Sequence, residues 1–233
     1  MQHGVRCRQI GRGNPDMASP VVPTDLMIRC TCGALQGVAH GVTARAGNHA
    51  VCYCDDCQAF AHFLARAADI LDAHGGTQLF QLSPAMLAIT TGAARLACMR
   101  LTPKGLFRWY ASCCNTPIAN TLPTNKLPFV GLIHLCIQRP PGDRSLEAAL
   151  GPIQVHGFRR SAKGDLTAIP PDRIRLPFLV LRFAALMLRW KLRGDGKHSP
   201  FFEPRTGRPV ALPRVLSSVE HAQVRQAVGQ SRR

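Results

Sequence analysis

A chain of 233 residues with 46% hydrophobic side chains is long enough to bury a real core and too apolar for global disorder. Its ten cysteines are spread too thinly for a small disulfide-stapled scaffold. The net charge of +16 is uneven: residues 1–138 hold 11 basic and 6 acidic side chains (+5), residues 139–233 hold 18 and 7 (+11), which bears on partners and solubility rather than on fold.

In chain order, residues 1–26 are polar, basic and broken by Gly and Pro, without a signal peptide's apolar stretch. They read as a flexible extension, with Met17 and Met27 as alternative starts and order beginning near Ile28. After Cys57 the pattern turns helical: Phe60, Phe63, Leu64, Ala67 and Leu71 recur at three- and four-residue steps. Asp55 and Asp56 suit that helix's N-terminus, and Gly75-Gly76 supplies a stop. Short β-like runs follow at 77–82, 86–90, 95–101, 105–111 and 129–137, separated by turn signals. A mainly β domain over 27–138 with one short helix is expected, followed by a basic C-terminal extension over 139–233. Within the extension, one strand is expected near Ile153–Phe158 and a short helix near Val215–Val228. The run 175–194 predicts a helix near 177–193, too often interrupted by Arg and Lys for a membrane span. Arg182, Arg189 and Arg193 share a face, so this helix is expected to dock on the β domain with its Arg stripe in water; a membrane-surface helix is the alternative.

The cysteines fall into three groups: Cys30-x-Cys32-Gly, Cys52-x-Cys54-x-x-Cys57, and Cys113-Cys114-Asn-Thr-Pro. Soft thiolates at this density in a reducing compartment read as metal ligands, which points to a cytoplasmic protein. Cys30 and Cys32 with Cys113 and Cys114 could make a closed tetrahedral zinc site. Cys52, Cys54 and Cys57 stand apart as a triplet, with Cys57 in a first helical turn where the dipole favours a thiolate. Three thiolates on zinc leave one position open, and their charge makes it a better seat for a substrate thiol than for an activated water. Cys98 and Cys136 lie in apolar runs and read as small core hydrophobes, and Cys7 falls in the N-terminal extension.

The order of these motifs resembles the glutathione-dependent formaldehyde-activating family, whose domain is shared with centromere protein V. The resemblance covers residues 28–138. It implies a β-tent fold with two zinc ions, one structural and one catalytic, and carbon–sulfur lyase chemistry joining formaldehyde to glutathione as S-hydroxymethylglutathione. It assigns Cys30 and Cys32 to the structural pair and Cys52, Cys54 and Cys57 to the catalytic triplet. Two positions depart from the family pattern: Ala111 stands at the first Cys of the third motif, with Cys113 as the candidate substitute, and Tyr53 stands at a frequent His.

Arg29, Lys104 and Arg108 lie near the motifs and are candidates to contact the carboxylates of an anionic thiol. His49, His62 and His134 are expected to pack rather than ligate, since thiolates dominate the pattern. No P-loop or dinucleotide fingerprint is present. The alternative reading is a non-catalytic zinc module whose basic C-terminal half binds nucleic acid or another anionic partner.

Overall fold

The computed structural model describes residues 22–138 and 145–231. Cys7 and most of the expected N-terminal extension lie outside them. The architecture is mainly β. A three-stranded antiparallel sheet is formed by β1 (Thr24–Arg29), β2 (Gln36–Val42) and β5 (Leu87–Thr91), in the order β1-β2-β5. The second sheet contains β3 (Asn48–Cys52), β4 (Thr77–Leu82), β6 (Leu96–Arg100), β7 (Phe107–Ala111), β8 (Thr116–Thr121), β9 (Val130–Ile133), β10 (Val155–Gly157) and β11 (Arg214–Val215). Its eight strands run in the order β10-β3-β4-β9-β8-β7-β6-β11.

The main core lies between the sheets. Leu26, Ile28 and Ala39 of the small sheet meet Phe80, Trp109, Ile118 and Leu132 of the large one, all at most 1% exposed. Burying each such large side chain contributes about 1.5–3 kcal/mol, so alternating inward residues fix both registers. Phe201 completes this core by lying 5.0 Å from Trp109, ring centre to ring centre. On another side, α1 (Asp55–Phe63) and α5 (Ser218–Gln230) pack together through Phe60, Leu64 and Val228 against Met99.

Three expectations about elements need correction. The first strand among the described residues, β1, starts at Thr24, upstream of Ile28, because Leu26 and Ile28 alternate into the core. The helix after Cys57 does not continue to Gly75: α1 ends at Phe63, and a separate turn, α2 (Ala67–Ile70), follows. Ala65 adopts φ +53°, its N–H bonds to the His62 carbonyl and that of Arg66 to Ala61, which is a Schellman stop built on alanine rather than glycine. Third, β1, β2, β3, β8 and β11 were not among the expected runs, and the last helix starts at Ser218 because Val215 belongs to β11.

The boundary expected at residue 138 falls between β9 and α3 (Leu146–Leu150), and elements on both sides of it share the large sheet. β10 adds in parallel to β3, and β11 adds in parallel to β6. The later half of the chain therefore covers both edges of the sheet, which would otherwise present unpaired backbone groups. It also contributes α4 (Leu176–Leu192).

Candidate metal centres

Cys30 directly follows β1, and Gly33, at φ +79°, reverses the chain two residues past the pair's midpoint. This turn lets the Leu35 N–H donate to the Cys30 sulfur at 3.2 Å. The β7–β8 turn brings Cys113 and Cys114 to the same place, with Asn115 left-handed at φ +54°. The sulfurs of Cys30 and Cys32 are 3.5 Å apart, Cys113 lies 3.3 Å from Cys32 and 3.8 Å from Cys30, and Cys114 lies 3.9 Å from Cys113. Four thiolates on a tetrahedral zinc at about 2.3 Å stand about 3.8 Å from one another, so the donor set fits that ion. Ala111 is a buried strand residue and Cys113 occupies the corner it does not supply.

The surroundings favour charge on sulfur. Burial works against a Cys114 thiolate, but hydrogen bonds from the Thr116 and Thr31 hydroxyls and from backbone N–H groups outweigh it and lower that thiol to about 5. Partial desolvation among the neighbouring sulfurs, and hydrogen bonds to them, push the otherwise exposed Cys113 up to about 12. Sulfurs this close share few negative charges among themselves, and a divalent cation relieves that repulsion and deprotonates the set. Arg66 spans the group, donating to the Cys114 carbonyl at 3.0 Å and to the Thr31 hydroxyl at 3.3 Å.

The second group sits where β3 runs into α1. Cys52 closes the strand, Cys54 is the helix N-cap, and Cys57 stands in the first turn, where the N–H of Cys57 donates to the Cys54 sulfur at 3.4 Å. The sulfurs of Cys52 and Cys54 lie 3.3 Å apart, and all three fall within 4.8 Å of one another. Among the described residues no fourth Cys, His, Asp or Glu joins them. Thiol donors from Cys52 and Cys54, with the Arg108 guanidinium 3.8 Å away, hold Cys57 well below the ordinary thiol range against its complete burial. Cys52 is pushed up in turn by its two sulfur neighbours. Negative charge is thus favoured on Cys57 over Cys52, and the three sulfurs are compatible with zinc on ligand type and spacing.

Arg108 is buried at 3% exposure on β7. It donates to Asn120 Oδ1 at 3.3 Å, stands over the Phe60 ring at 5.4 Å and lies 3.8 Å from Asp56, which also pairs with Arg225 of α5. Of the three basic residues singled out from the sequence, only this one reaches the triplet. Arg29 lies beside Gly33 in the four-sulfur group, and Lys104 is exposed in the β6–β7 turn. The histidines pack: His49 is buried, donates from Nδ1 to the Gly151 carbonyl at 2.6 Å and stacks on His134 at 6.5 Å, and His62 is half-buried in α1.

The triplet opens on a cleft of about 860 Å³. Its floor is the large sheet, where Gln81, Gly131, Asn120 and Arg108 stand in register across four strands. Its walls include Leu79, Phe129, Val155, Phe158, Leu176 and Leu179. The sequence reading missed Gln81, Asn120, Gly131 and Arg225. A glycine within the apolar run 129–137 was the available signal, since strand glycines mark close approach by a ligand or another backbone.

The chain belongs to a family of unknown function, DUF6151, whose profile matches residues 18–213. A crystal structure of a Rhodobacter sphaeroides protein is similar at 13% identity and a TM-score of 0.37, over 56% of this chain and 98% of that one. No curated protein matches.

Proposed function

We propose that this chain is a zinc-dependent, carbon–sulfur lyase-like protein acting on a thiol adduct, of the glutathione-dependent formaldehyde-activating type and with the β-tent fold of that family. The single observation that carries the reading is the triplet of Cys52, Cys54 and Cys57, gathered without a fourth ligand among the described residues and opening on a cleft. The four-sulfur group would hold a structural zinc.

A zinc ion on Cys52, Cys54 and Cys57 would supply Lewis acidity at one open position, suited to an incoming thiol. The chain's own residues do the rest. Arg108 and the first turn of α1 hold negative charge on Cys57, and Asp56 holds Arg108 and Arg225 at the cleft. The side-chain oxygen of Asn120 accepts from Arg108, which leaves its amide N–H groups to donate to the oxygen of an aldehyde adduct. In the reaction, thiol sulfur adds to the carbonyl carbon, the C=O π bond breaks, and the thiol proton ends on the hydroxyl oxygen; lysis is the reverse.

The test is turnover of formaldehyde and glutathione by the purified, zinc-loaded protein, followed by NMR of the adduct. Faster equilibration that is lost in Cys54→Ser supports the reading. Zinc-loaded protein that neither binds glutathione nor alters adduct exchange overturns it.

A further inference from the structure

α4 packs against the β domain, and of its expected water-facing Arg stripe Arg189 and Arg193 are exposed while Arg182 is not. Arg182, the first member of the expected solvent-facing stripe, is turned inward: Nε donates to Asn48 Oδ1 at 2.7 Å, and the guanidinium also donates to the carbonyls of Gly47 at 2.8 Å and Ala44 at 3.1 Å. Trp190, 3% exposed, and Phe183, packed edge-on to Phe129 at 5.8 Å, anchor the same inner side. The face left to solvent is apolar. Leu181, Leu188 and Phe178 are 67%, 58% and 61% exposed, and Leu192 is 79% exposed. They follow helical spacing with the exposed Ala184 and Ala185 between them, so they form one continuous strip. On the helical wheel, Arg189 lies along one margin of this strip and Lys191 along the other, both exposed. No helix among the described residues is long and apolar enough to cross a membrane.

A second feature adjoins the end of the strip. Lys191, in the last turn of α4, lines a pocket of about 320 Å³ with Lys126, Lys197 and Arg205, and no acidic side chain lines it. None of these four cations has an ion pair among the described residues.

We infer that α4 lies in the plane of an anionic phospholipid surface, with Phe178, Leu181, Leu188 and Leu192 among the acyl chains and the Lys126–Lys191–Lys197–Arg205 pocket on a headgroup phosphate. Both halves of the feature point the same way: an apolar strip seeks hydrocarbon, and cations at its margins seek the negative headgroups above it. A second copy fits the strip poorly. Pairing two α4 faces would set the Arg189 and Lys191 margins of one copy against those of the other, and like charges across an interface oppose association.

The experiment is flotation of the full-length protein with phosphatidylcholine vesicles, with and without phosphatidylserine. The chain floats with the anionic vesicles, stays behind with the neutral ones, and is released by salt. Leu181→Asp combined with Leu188→Asp abolishes flotation while leaving the circular dichroism and zinc content unchanged, since both side chains are already in solvent. Lys191→Gln with Lys197→Gln weakens partitioning by about fivefold per removed cation, about 25-fold for the pair. Flotation that persists in the double-Asp variant overturns the inference, including the case in which inorganic phosphate competes at the pocket. A wild-type dimer that Leu188→Asp converts to monomer, or a chain that shifts DNA but floats with no vesicle, also overturns it.

Discussion

Gly131→Val tests the cleft without touching a sulfur. Gly131 sits mid-strand in β9, in register with Gln81 on one side and Asn120 on the other, and contributes no side chain to the cleft floor. A Cβ added there would stand 3.6 Å from Phe129 Cζ and 3.8 Å from Leu79 Cδ1, which is ordinary van der Waals contact. A Cβ is therefore accommodated by the fold, and removing a strand glycine contributes about 0.5–1 kcal/mol of stability. For a chain of this size that means a Tm unchanged or higher by about 1–4 °C. The three added carbons occupy space a ligand would otherwise fill. Displacing a comparable three carbons of ligand, at about 0.8 kcal/mol each, weakens binding about fiftyfold. The assay is thiol titration of the cobalt-substituted protein, read in its sulfur-to-metal absorption. A variant that keeps its metal and its Tm and still takes up thiol with wild-type affinity refutes the assignment of this cleft to the ligand.

Further outcomes separate the two centres and the buried histidines. Cys32→Ser and Cys54→Ser each lose one zinc per chain, but only Cys32→Ser lowers the Tm strongly, because its group joins the end of β1 to the β7–β8 turn; equal Tm losses would count against one centre being structural. Arg108→Met costs about 2–4 kcal/mol in denaturant unfolding, since it strips a buried donor from Asn120 and Cys57 and leaves Asp56 with Arg225 alone, and a loss below 1 kcal/mol would show that Arg108 is not integral to the wall. Burial lowers the His49 pKa below its ordinary value, which the Gly151 carbonyl only partly opposes. The unfolded chain then binds a proton more readily, so stability present above about pH 6.5 is lost as the pH falls below it. His49→Gln flattens that decline between about pH 7 and pH 5, and an unchanged slope would show that His49 does not carry it.

Much of the candidate site was legible because metal ligation is written in local spacing. Cys52, Cys54 and Cys57 are brought together by one strand end and one helical turn, so six residues of sequence suffice. Cys113 and Cys114 needed only the inference that one more sulfur group was available to meet Cys30. The rest of the cleft was illegible for the opposite reason. Gln81, Gly131, Asn120 and Arg108 become neighbours through registers across four strands, and no single stretch records that. Among the missed strands, β8 reads "TPIANT" and β3 "NHAVC", where polar residues are buried because partners exist: Arg108 for Asn120, Arg182 for Asn48. On α4 the periodicity was visible and its direction was not. Arginine is expected in water, yet three backbone and amide oxygens around Asn48 turn Arg182 inward and leave the leucines outside.

The two sulfur groups also differ in how they are connected. The four-sulfur group is closed by its own ligands and lies at the surface, with Cys32 and Cys113 exposed, so a metal there can shape the chain but has no corner left for chemistry. The triplet is walled by buried residues and keeps a side toward the cleft. α1 links them: it begins on Cys54 and ends at the Schellman stop, whose next residue, Arg66, reaches the Thr31 hydroxyl and the Cys114 carbonyl. The stop is therefore part of the site. A helix running on to Gly75, as the apolar period suggested, would carry Arg66 away from the four-sulfur group and leave α1 held by its packing on α5 and the large sheet and by the ion pairs of Asp56. Because the orientation of α1 sets where Cys57 stands, a metal in the closed group would help to steady the open one through α1 and the Arg66 guanidinium.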